Sequence, residues 1–391
     1  MEDKYILING AGTVGIRDAD VLLSLDIPLI LTKYNASEED IKTKEMKALL
    51  DRYPNSNIKI YAGRGSNLEE IISNFKEIIG KCDGSVDDIE FDKVSLAVEC
   101  TDGKEGRVYN EIYKPKKIPF VLNGGGDSKL VKSLYFASVP NCRVQENIEE
   151  YKKNNGKIVS CNTHSLTTAI GLLEEVLGKG EKFSEKLRDQ IIIDFSRRYD
   201  DPGKKDKKVP KFVKIEHRPY HVDEVEFLHP EIKNLIDTTY SKWPTQYFHN
   251  LTITLDLKDE ISQNMLEDIR FQVQTYPRAI LVEDVLCHER TMKSAEKARI
   301  KDADIPFPVF MVDGIGKHHL RMYALTPQRG IVAPSTVDYV LLRTNFIKGI
   351  NSWKDAFDFT NKNAKYRNET FGHIKESIQD NLSHYEEQVE K

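Results

Sequence analysis

The sequence predicts an α/β protein with two domains. Over the first 160 residues, short apolar runs alternate with amphipathic helical patterns, which is typical of repeated βα units and a doubly wound parallel sheet. Farther along, the strand patterns become longer and alternate apolar with polar residues, which indicates a mainly antiparallel sheet with one covered face. We therefore expect a Rossmann domain in residues 1–160, completed by a helix near 335–345. A second, α+β domain should follow in residues 161–334, and a charged, helical extension in residues 346–391.

Composition excludes several classes of protein. The chain has 391 residues, of which 39% are hydrophobic and 30% charged, as expected of a folded protein with a heavily charged surface. Its net charge of −5 gives no indication of a nucleic-acid partner. No apolar run approaches the ~18 residues that span a bilayer, and the first residues lack the pattern of a secretory signal. The five cysteines are scattered without a C-x-x-C pair, which favours reduced thiols and a cytoplasmic location.

The first strand leads into a glycine-rich turn. Residues Tyr5–Ile8 are apolar, Gly10-Ala11-Gly12-Thr13-Val14-Gly15 follows them, and a helical pattern begins directly afterwards. Strand, G-x-G-x-x-G and helix in this order form the fingerprint of dinucleotide binding. The first glycine makes the turn, the second lets the backbone approach a pyrophosphate, and the third lets the helix pack on the strand. The pyrophosphate would lie at the N-terminus of the helix.

The end of the second strand bears on the choice of cofactor. The strand Pro28–Thr32 ends at Lys33, where an NAD-binding domain usually has a carboxylate for the ribose 2′-hydroxyl. Glu38 and Glu39 lie farther along the chain. Because a cation attracts a 2′-phosphate, Lys33 favours NADP, with NAD as the alternative. A solvated lysine at a strand end is the other interpretation of this residue.

The alternation of strands and helices continues up to residue 126. The expected strands are Asn57–Tyr61, Val94–Val98 and Pro119–Leu122, and the expected helices are Leu68–Ile79 and Lys104–Tyr113. The segment Cys82–Asp92 has the composition of a polar loop. The last of these strands closes on Asn123-Gly124-Gly125-Gly126, a turn of bare backbone where a ligand can approach closely. An ordinary loop explains the same glycines.

Cys161 is the candidate nucleophile. The β-branched pair Ile158-Val159 ends a strand just before it, and a helical pattern then runs to Leu177, with Thr163 or Ser165 as expected caps. The positive end of a helix dipole and its unpaired N–H groups favour a thiolate, which attacks a carbonyl carbon. A buried cysteine that acts as a small hydrophobe is the alternative, because most free cysteines are of this kind.

Two further features could complete a site around this thiol. Arg197 and Arg198 follow an apolar strand, and two adjacent guanidinium groups can hold a phosphate, although two surface arginines need no ligand. An imidazole is the natural acceptor of a thiol proton, and His249 and His221 are the candidates, although either can be a structural histidine. The histidine pairs of the sequence form no closed ligand set, so we expect no metal site.

The second half of the chain has the strand pattern of the second domain. The expected strands are Asp189–Ser196, Phe248–Leu257, Ala279–Val285 and His319–Leu325. Between the first two lies the strongly basic segment Gly203–Arg218. Because this segment has little aromatic content, a solvated loop is favoured over nucleic-acid binding.

Several motifs together resemble one family. SCNT around Cys161 and NGAGTVGIR at the N-terminus are similar to the archaeal-type (class II) glyceraldehyde-3-phosphate dehydrogenases. Similar segments follow in the same order, from Thr32-Lys33 through IYKPKKIPFVLNGG, SRRYDDP, HVDEVEFLHPE and PTQYFH to QRGIVAPSTVD. The resemblance covers residues 3 to about 342. The insertions near residues 60–90 and the charged tail lie outside it.

The resemblance implies a phosphorylating oxidation of glyceraldehyde 3-phosphate to 1,3-bisphosphoglycerate, with inorganic phosphate as co-substrate and NADP or NAD as cofactor. It also implies a homotetramer, Cys161 as the nucleophile and His249 as the base. The substrate-contacting positions are then Ser160, Asn162, Thr163, Arg197, Tyr220 and His221. The expected cofactor-contacting positions combine the residues of the glycine-rich turn and Lys33 with those that the resemblance adds. They are Gly10, Gly12, Thr13, Val14, Gly15, Lys33, Gly124, Arg198 and Gln328.

The sequence departs from the family near the thiol. The family pattern SCNTTGLCR becomes SCNTHSLTT, so His164 replaces a threonine and Thr168 stands where arginine is usual. Tyr220 replaces the first histidine of a pair, and Val222 replaces a glycine. These changes bear on phosphate affinity and substrate choice. They leave two alternatives open, a related acyl-phosphate reductase of the semialdehyde dehydrogenase type and a nucleotide- or RNA-binding protein that has lost catalysis.

Overall fold

The computed structural model describes residues 4–63, 67–101, 103, 105–123, 126–198, 219–243, 248–283, 288–300 and 304–389. The side chains of residues 197, 198, 242, 243 and 384–389 lie outside this description. The chain divides into two units, each of which combines separate segments. The first unit comprises Met1–Phe136, Asn147–Val159 and Val332–Thr370, and the second comprises Ala137–Glu146, Ser160–Ile331 and Phe371–Lys391.

Strands and helices are distributed along the whole chain. The strands are β1 Tyr5–Asn9, β2 Leu29–Lys33, β3 Ile58–Ala62, β4 Gly84–Ser85, β5 Val94–Glu99, β6 Phe120–Asn123, β7 Tyr135–Phe136, β8 Gly156–Ile158, β9 Ile191–Arg198, β10 Ile236–Trp243, β11 Phe248–Asp256, β12 Ile280–Leu281, β13 Val309–Ile315, β14 His319–Pro327, β15 Lys365–Tyr366 and β16 Glu369–Thr370. The α-helices are α1 Gly15–Leu23, α2 Ile41–Arg52, α3 Leu68–Ile78, α4 Glu105–Val108, α5 Lys114–Lys116, α6 Ile148–Lys153, α7 Cys161–Leu177, α8 Phe183–Lys186, α9 Tyr220–Leu228, α10 Gln263–Thr275, α11 His288–Lys297, α12 Ala333–Arg343, α13 Trp353–Asn363 and α14 Phe371–Val389. A π-helical turn, Tyr109–Tyr113, joins α4 to α5.

An eight-stranded parallel sheet forms the centre of the first unit. Its strand order is β4-β3-β2-β1-β5-β6-β8-β7, and all of its strand pairs are parallel. The inner strands are short and apolar, such as YILIN in β1, as expected of strands that are buried on both faces. The predicted α/β architecture with a Rossmann-type parallel sheet is therefore confirmed.

The strand order reverses at β1. From β1 the chain moves outward through β2, β3 and β4, and it then crosses to β5 on the other side of β1. The carboxyl ends of β1 and β5 therefore flank a topological switch point, which is where open α/β sheets bind their ligands.

The second unit contains a mixed six-stranded sheet with the order β10-β9-β11-β14-β13-β12. Its four central strands are antiparallel to one another, whereas β10 and β12 at the edges run parallel to their neighbours. Along the chain, α9 separates β9 from β10 and α11 separates β12 from β13. A helical crossover brings the chain back in the same direction, which explains the two parallel edges of a sheet that was predicted to be mainly antiparallel.

A buried polar cluster joins α1 to the sheet and to α12. The Asn123 side chain donates hydrogen bonds to the Asp18 carboxylate at 2.6 Å and to the Thr336 hydroxyl at 3.0 Å, and the Cys100 thiol lies 3.7 Å from the same carboxylate. Burial raises the pKa of Asp18 to about 7, although these neighbours act in the opposite direction. The cluster therefore fixes α1 at the cost of a buried carboxyl group.

The last two long helices belong to different units. Helix α13 packs against α12 in the first unit, and α14 packs against α11 in the second. The side-chain amide of Gln379 on α14 donates to the carbonyl of Leu281 and accepts from its N–H, so the helix satisfies the backbone of the edge strand β12. In the described part of the chain, no helix has the length and apolarity needed to cross a membrane.

Asp18 makes the stability of the fold dependent on pH. Its pKa is higher in the folded chain than the ordinary value of 3.8, so the folded state binds more protons and loses stability as pH rises from about 4 to about 7. The shift corresponds to about 4 kcal/mol of unfolding free energy. We expect Asp18→Asn to remove most of this slope and to raise stability at pH 7.5, as measured by urea unfolding at several pH values.

Asp20→Asn is a suitable control for this prediction, because Asp20 lies on the same helix and its carboxylate is paired with Arg52. Loss of that ion pair should lower stability at pH 7.5. A slope that survives in Asp18→Asn would show that other groups cause it.

Candidate functional site

The glycine-rich turn joins β1 to α1 at the switch point. Gly10 has a φ of +96°, in the left-handed region, and a Cβ atom there would lie 3.2 Å from the backbone of Thr101. A Cβ atom on Gly15 would overlap the carbonyl oxygen of Gly10, so only glycine lets α1 begin this close to the turn. Thr32 of β2 holds the turn in place, because its hydroxyl accepts from the N–H of Gly10 at 3.1 Å.

A cavity of about 770 Å³ opens at this turn, a size that suits a small-molecule ligand. Its polar wall includes Gly10 and Gly12 of the turn and Lys33 at the end of β2. Its apolar wall includes Val86, Ile89, Phe91, Val108 and Ile112. Bare backbone beside a helix N-terminus suits a pyrophosphate, and an apolar wall suits a nucleobase. The residues present therefore fit a dinucleotide cofactor.

Part of the apolar wall comes from the segment that was predicted to be a polar loop. Residues Val86–Asp88 and Phe91–Lys93 form two short 3₁₀ helices, and Ile89 between them is buried. Their apolar side chains are too few and too irregularly spaced to produce a helical or strand pattern in the sequence.

Lys33 is paired with a carboxylate that the sequence analysis did not consider. Its Nζ atom lies 2.7 Å from Oδ2 of Asp40, which also caps α2 by accepting from the N–H of Lys42 at 3.1 Å. Partial burial would raise the pKa of Asp40, but the hydrogen bonds from Lys33 and Lys42 outweigh it and hold the pKa below its usual value. The charge of Lys33 in the cavity is therefore balanced by an ionised Asp40.

A chain of hydrogen bonds lies behind the turn. The Thr32 hydroxyl donates to Oδ1 of Asn9 at 2.7 Å, and the Asn9 amide donates to Glu99 at 2.7 Å. Glu99 also accepts from the Tyr113 hydroxyl at 2.6 Å and from the N–H of Thr101 at 2.9 Å. Burial raises the pKa of Glu99 against the effect of these donors. The network fixes the ends of β1, β2 and β5, and its members Asn9, Thr32, Thr101 and Tyr113 line the cavity.

In the second unit, α7 begins at Cys161, as predicted, but its cap is Ser160. The Ser160 hydroxyl accepts from the N–H of Thr163, so Thr163 and Ser165, the expected caps, lie inside the helix. The helix has 17 residues and is buried along most of its length, whereas Cys161 is half-buried. Cys161 is thus partly exposed at the positive end of a long, buried helix, a position that favours a thiolate.

His221 lies at the same helix terminus. Its Nδ1 atom is 3.0 Å from the Ser160 hydroxyl and 3.0 Å from the Thr163 hydroxyl. The imidazole is 1% exposed and stacks on Phe195, with 5.2 Å between the ring centroids. The predicted substrate-contacting residues Ser160, Thr163 and His221 therefore come together around the start of α7.

His249 lies on the face of the mixed sheet that α7 covers. It is 1% exposed, and at a spacing of two residues along β11 it shares a buried face with Leu251 and Ile253. Its cross-strand neighbour is Thr326, whose hydroxyl donates to Ser165 of α7 at 2.7 Å. Directly opposed residues on neighbouring strands point to the same face of the sheet, so His249 lies on the face that carries Thr326. Ser165 is one helical turn after Cys161, and this face is therefore the one towards the first turns of α7.

The other predicted substrate positions differ in their surroundings. Asn162 is buried, and its Oδ1 atom has no hydrogen-bond partner among the described residues. Tyr220 is 44% exposed, with its ring centroid 4.0 Å from that of His221. Val222, which stands where the family has glycine, is fully buried on α9.

The family departures on α7 are accommodated within the helix. The Nδ1 atom of His164 lies 3.2 Å from the carbonyl oxygen of Ser160, and the Thr168 hydroxyl donates to the carbonyl of His164 at 2.7 Å. Both side chains are buried. They therefore contact the backbone of α7 itself.

Several predicted residues are described only in part. Arg197 and Arg198 are the last residues of β9, and their side chains lie outside the described part of the structure. Gly124 also lies outside the described residues. Gln328 directly follows β14 and is half-buried. Within the described ranges, no three His, Cys, Asp or Glu side chains converge in a way that would hold a metal ion.

Glu224, a buried carboxylate at the N-terminus of α7, was not predicted from the sequence. It accepts from the Thr163 hydroxyl at 2.6 Å and is 1% exposed. A signal was present, because His221 and Glu224 are three residues apart and share a face once HVDEVEFL is read as a helix.

Comparison with known proteins shows consistent similarity to one group. The chain is 27% identical over 300 residues to the glyceraldehyde-3-phosphate dehydrogenase of Archaeoglobus fulgidus, covering 75% of this chain and 78% of that protein. It is 25% identical over 350 residues to glyceraldehyde-3-phosphate dehydrogenase 2 of Methanosarcina acetivorans, covering 87% and 93%. It is 26% identical over 371 residues to the Saccharolobus islandicus enzyme, covering 91% and 96%. No protein-family model matches the chain.

The fold and the comparisons both point to a nicotinamide-dependent oxidoreductase. A parallel sheet with a dinucleotide fingerprint, in a chain similar to dehydrogenases over most of its length, supports an oxidoreductase that uses a nicotinamide cofactor. Within that class, the resemblance to archaeal-type glyceraldehyde-3-phosphate dehydrogenases is confirmed by relatives from several archaea.

The contact of Thr32 with the turn generates a prediction for cofactor binding. Thr32→Val keeps the shape of the side chain but removes the hydrogen bonds to Gly10 and Asn9, so the turn loses its support. We expect affinity for NADPH and NADH to fall about tenfold each, because one or two buried hydrogen bonds are worth about 1–2 kcal/mol. Fluorescence titration measures both affinities.

Thr360→Val on α13 is the matched control, because Thr360 is also buried in the first unit and its hydroxyl has no hydrogen-bond partner among the described residues. It should leave both affinities unchanged. Equal affinities in Thr32→Val and the parent chain would contradict the role of Thr32.

Proposed function

We propose that this chain oxidises glyceraldehyde 3-phosphate with inorganic phosphate to 1,3-bisphosphoglycerate, using NADP or NAD. The observation that carries the proposal is the position of Cys161. It is the half-buried first residue of a long buried helix, with two hydroxyls and an imidazole at the same terminus. The relatives named glyceraldehyde-3-phosphate dehydrogenase support the choice of substrate. A cytoplasmic location and a homotetrameric assembly remain parts of this proposal.

Cys161 would carry the covalent chemistry. A base removes the thiol proton, the thiolate adds to the aldehyde carbon, and the protonated base returns the proton to the new alkoxide, which gives a thiohemiacetal. The C–H hydrogen of the thiohemiacetal then leaves with its electron pair as hydride, while its hydroxyl proton passes back to the base. The product is a thioester on Cys161. An oxygen of inorganic phosphate then attacks the thioester carbon, the C–S bond breaks, and the thiolate is restored as the acyl phosphate leaves.

His249 is the proposed base, with His221 as the alternative. Both imidazoles are buried in the second unit, His249 on the sheet face towards α7 and His221 against the hydroxyls of Ser160 and Thr163. The neutral form of an imidazole can receive a proton from a thiol. Inorganic phosphate would be bound by Arg197 and Arg198, because adjacent guanidinium groups suit a doubly charged anion.

The glycine-rich turn and the cavity would hold the cofactor. When bound, the nicotinamide supplies a hydride acceptor. Gly10, Gly12 and Gly15 let backbone N–H groups approach the pyrophosphate, with Thr13 and Val14 completing the turn. Gln328 is proposed as a further cofactor contact on the basis of resemblance, as are Gly124 and Arg198.

The pair formed by Lys33 and Asp40 would set the preference between NADP and NAD. Lys33 attracts a 2′-phosphate, whereas Asp40 repels it and can accept from a ribose 2′-hydroxyl. Because the two charged groups lie 2.7 Å apart, Asp40 weakens the attraction of Lys33 for a 2′-phosphate, and Lys33 weakens the repulsion by Asp40. Use of both cofactors, with NADP preferred, is therefore the expected behaviour.

Variants of this pair should move the preference in opposite directions. Asp40→Asn keeps a side chain that caps α2 but removes the negative charge, so the ratio of NADPH to NADH affinity should rise about fivefold. Lys33→Asp should lower the same ratio by more than this, since it reverses a charge in the cavity. Direct binding titrations measure the ratio without reference to catalysis.

Glu38→Gln controls for a general change of charge, because Glu38 is an exposed carboxylate in the same loop. It should leave the ratio unchanged. A ratio that stays constant in all three variants would refute the role of Lys33 and Asp40.

Replacement of the thiol tests the proposed reaction. We expect Cys161→Ser to reduce phosphate-dependent formation of NADPH from glyceraldehyde 3-phosphate on the order of 10³-fold or more, because a hydroxyl is a far weaker nucleophile. Cys82→Ser replaces another half-buried thiol and should retain activity. Unchanged turnover in Cys161→Ser would eliminate Cys161 as the nucleophile.

The parent chain distinguishes the remaining alternatives in the same assay. Activity with another aldehyde, but not with glyceraldehyde 3-phosphate, would identify an acyl-phosphate reductase of the semialdehyde dehydrogenase type. Nucleotide or RNA binding without phosphate-dependent reduction of NADP would identify a protein that has lost catalysis.

A further inference from the structure

The hydrogen bonds at the start of α7 end in a buried carboxylate, Glu224. The Thr163 hydroxyl lies 2.6 Å from Oε2 of Glu224, a distance typical of a hydroxyl that donates to an ionised acceptor. The same hydroxyl oxygen is 3.0 Å from Nδ1 of His221 and 3.0 Å from the Ser160 hydroxyl. All four side chains are at least nine-tenths buried, so water cannot readily substitute for any of these contacts.

The number of hydrogens in this cluster determines the tautomer of His221. A threonine hydroxyl has one hydrogen, and an ionised carboxylate can only accept, so Thr163 gives its hydrogen to Glu224. The Thr163 oxygen can then only accept from His221 and Ser160. If Nδ1 of His221 carried no hydrogen, its lone pair would face a lone pair of Thr163 at 3.0 Å. The contacts are all attractive when Nδ1 carries the hydrogen, which leaves the lone pair of the neutral imidazole on Nε2.

A second histidine in the same unit shows a different arrangement. Nε2 of His229 lies 2.6 Å from the Thr167 hydroxyl, and Nδ1 lies 2.7 Å from Glu174. Both ring nitrogens of His229 are thus used to tie α7 to its surroundings. In His221, by contrast, the two hydroxyls converge on one nitrogen, which orients the ring and directs the other nitrogen away from them.

We propose that Glu224 is a positioning residue that acts through Thr163 to hold His221 with its lone pair on Nε2, as a proton acceptor for the reaction at Cys161. Its negative charge also stabilises the imidazolium that forms when the proton is received. This inference rests on the proposed function, and it takes His221, the alternative to His249 there, as the proton acceptor at the nucleophile. It adds Glu224 to the residues of the site, and it gives Thr163 the role of connecting the Glu224 carboxylate to the His221 ring.

Four variants test the relay. Thr163→Val removes the hydroxyl at almost constant shape, and we expect kcat to fall about tenfold with little change in KM for the aldehyde. Thr163→Ser restores the hydroxyl and should recover most of the activity.

Glu224→Gln keeps an oxygen that accepts from Thr163 but removes the charge, so the acid limb of the kcat profile should move to lower pH by about one unit. Glu226→Gln is the control, because Glu226 is buried on the same helix but accepts from the N–H of Asn234 at 2.9 Å.

The tautomer can be observed without any turnover. Long-range ¹H–¹⁵N spectra of the full chain with labelled histidine, assigned with a His221→Gln variant, report which ring nitrogen carries the hydrogen. We expect hydrogen on Nδ1 in the parent chain and a mixture of tautomers in Thr163→Val. Hydrogen on Nε2 in the parent chain would overturn the inference, as would a pH profile of Glu224→Gln identical to that of the parent.

Failure of the proposed function gives a different pattern. In that case the parent chain shows no phosphate-dependent reduction of NADP, while the spectra still report the tautomer that Glu224 and Thr163 impose. Activity in the parent together with an unresponsive Glu224→Gln contradicts the inference alone.

Discussion

The first turn of α7 is the constraint on which the second unit depends. A 17-residue helix that is buried along most of its length leaves its N-terminal N–H groups inside the protein, where they need partners. Ser160 supplies one, and the hydroxyl of Thr163 links this end of the helix to His221 and Glu224. Cys161 is half-buried at this terminus, so the feature that satisfies the helix also places a thiol in a positive field.

The N-terminus of α1 in the first unit also has backbone N–H groups that lack partners within the helix. There the glycine-rich turn brings bare backbone to a helix N-terminus, and Thr32, Asn9 and Glu99 hold the surrounding strand ends in place. Under the proposed function, a helix N-terminus in each unit stabilises a negative charge, a pyrophosphate in the first unit and a thiolate in the second. In the second unit, His221 and Glu224 reach the helix end from a distant part of the chain, whereas α1 has no side-chain cap and begins on the backbone of the turn.

The sequence predicted the parts of this arrangement that depend on local pattern. The strand, turn and helix around Gly10 to Gly15 and the start of a helix at Cys161 are encoded by neighbouring residues, and both are confirmed. Strands β10 and β13 were not foreseen, because a polar run such as IDTTYSKW lacks strict alternation. Asp40 and Glu224 escaped notice because their roles arise from contacts with Lys33 and Thr163, which only the folded chain creates. The N-cap of α7 was predicted at Thr163 or Ser165, about one turn after its position at Ser160, because the ends of a helix are the least certain part of a sequence pattern.

The central claim is that Cys161 forms a covalent acyl intermediate, and trapping that intermediate tests it most directly. The parent chain is mixed with glyceraldehyde 3-phosphate and NADP in the absence of inorganic phosphate, so that the thioester has no phosphate to accept its acyl group. Mass spectrometry of the intact protein and of its peptides then locates any added mass. We expect one 3-phosphoglyceroyl group on the peptide that contains Cys161. No adduct, or an adduct confined to another cysteine such as Cys82, would contradict the account.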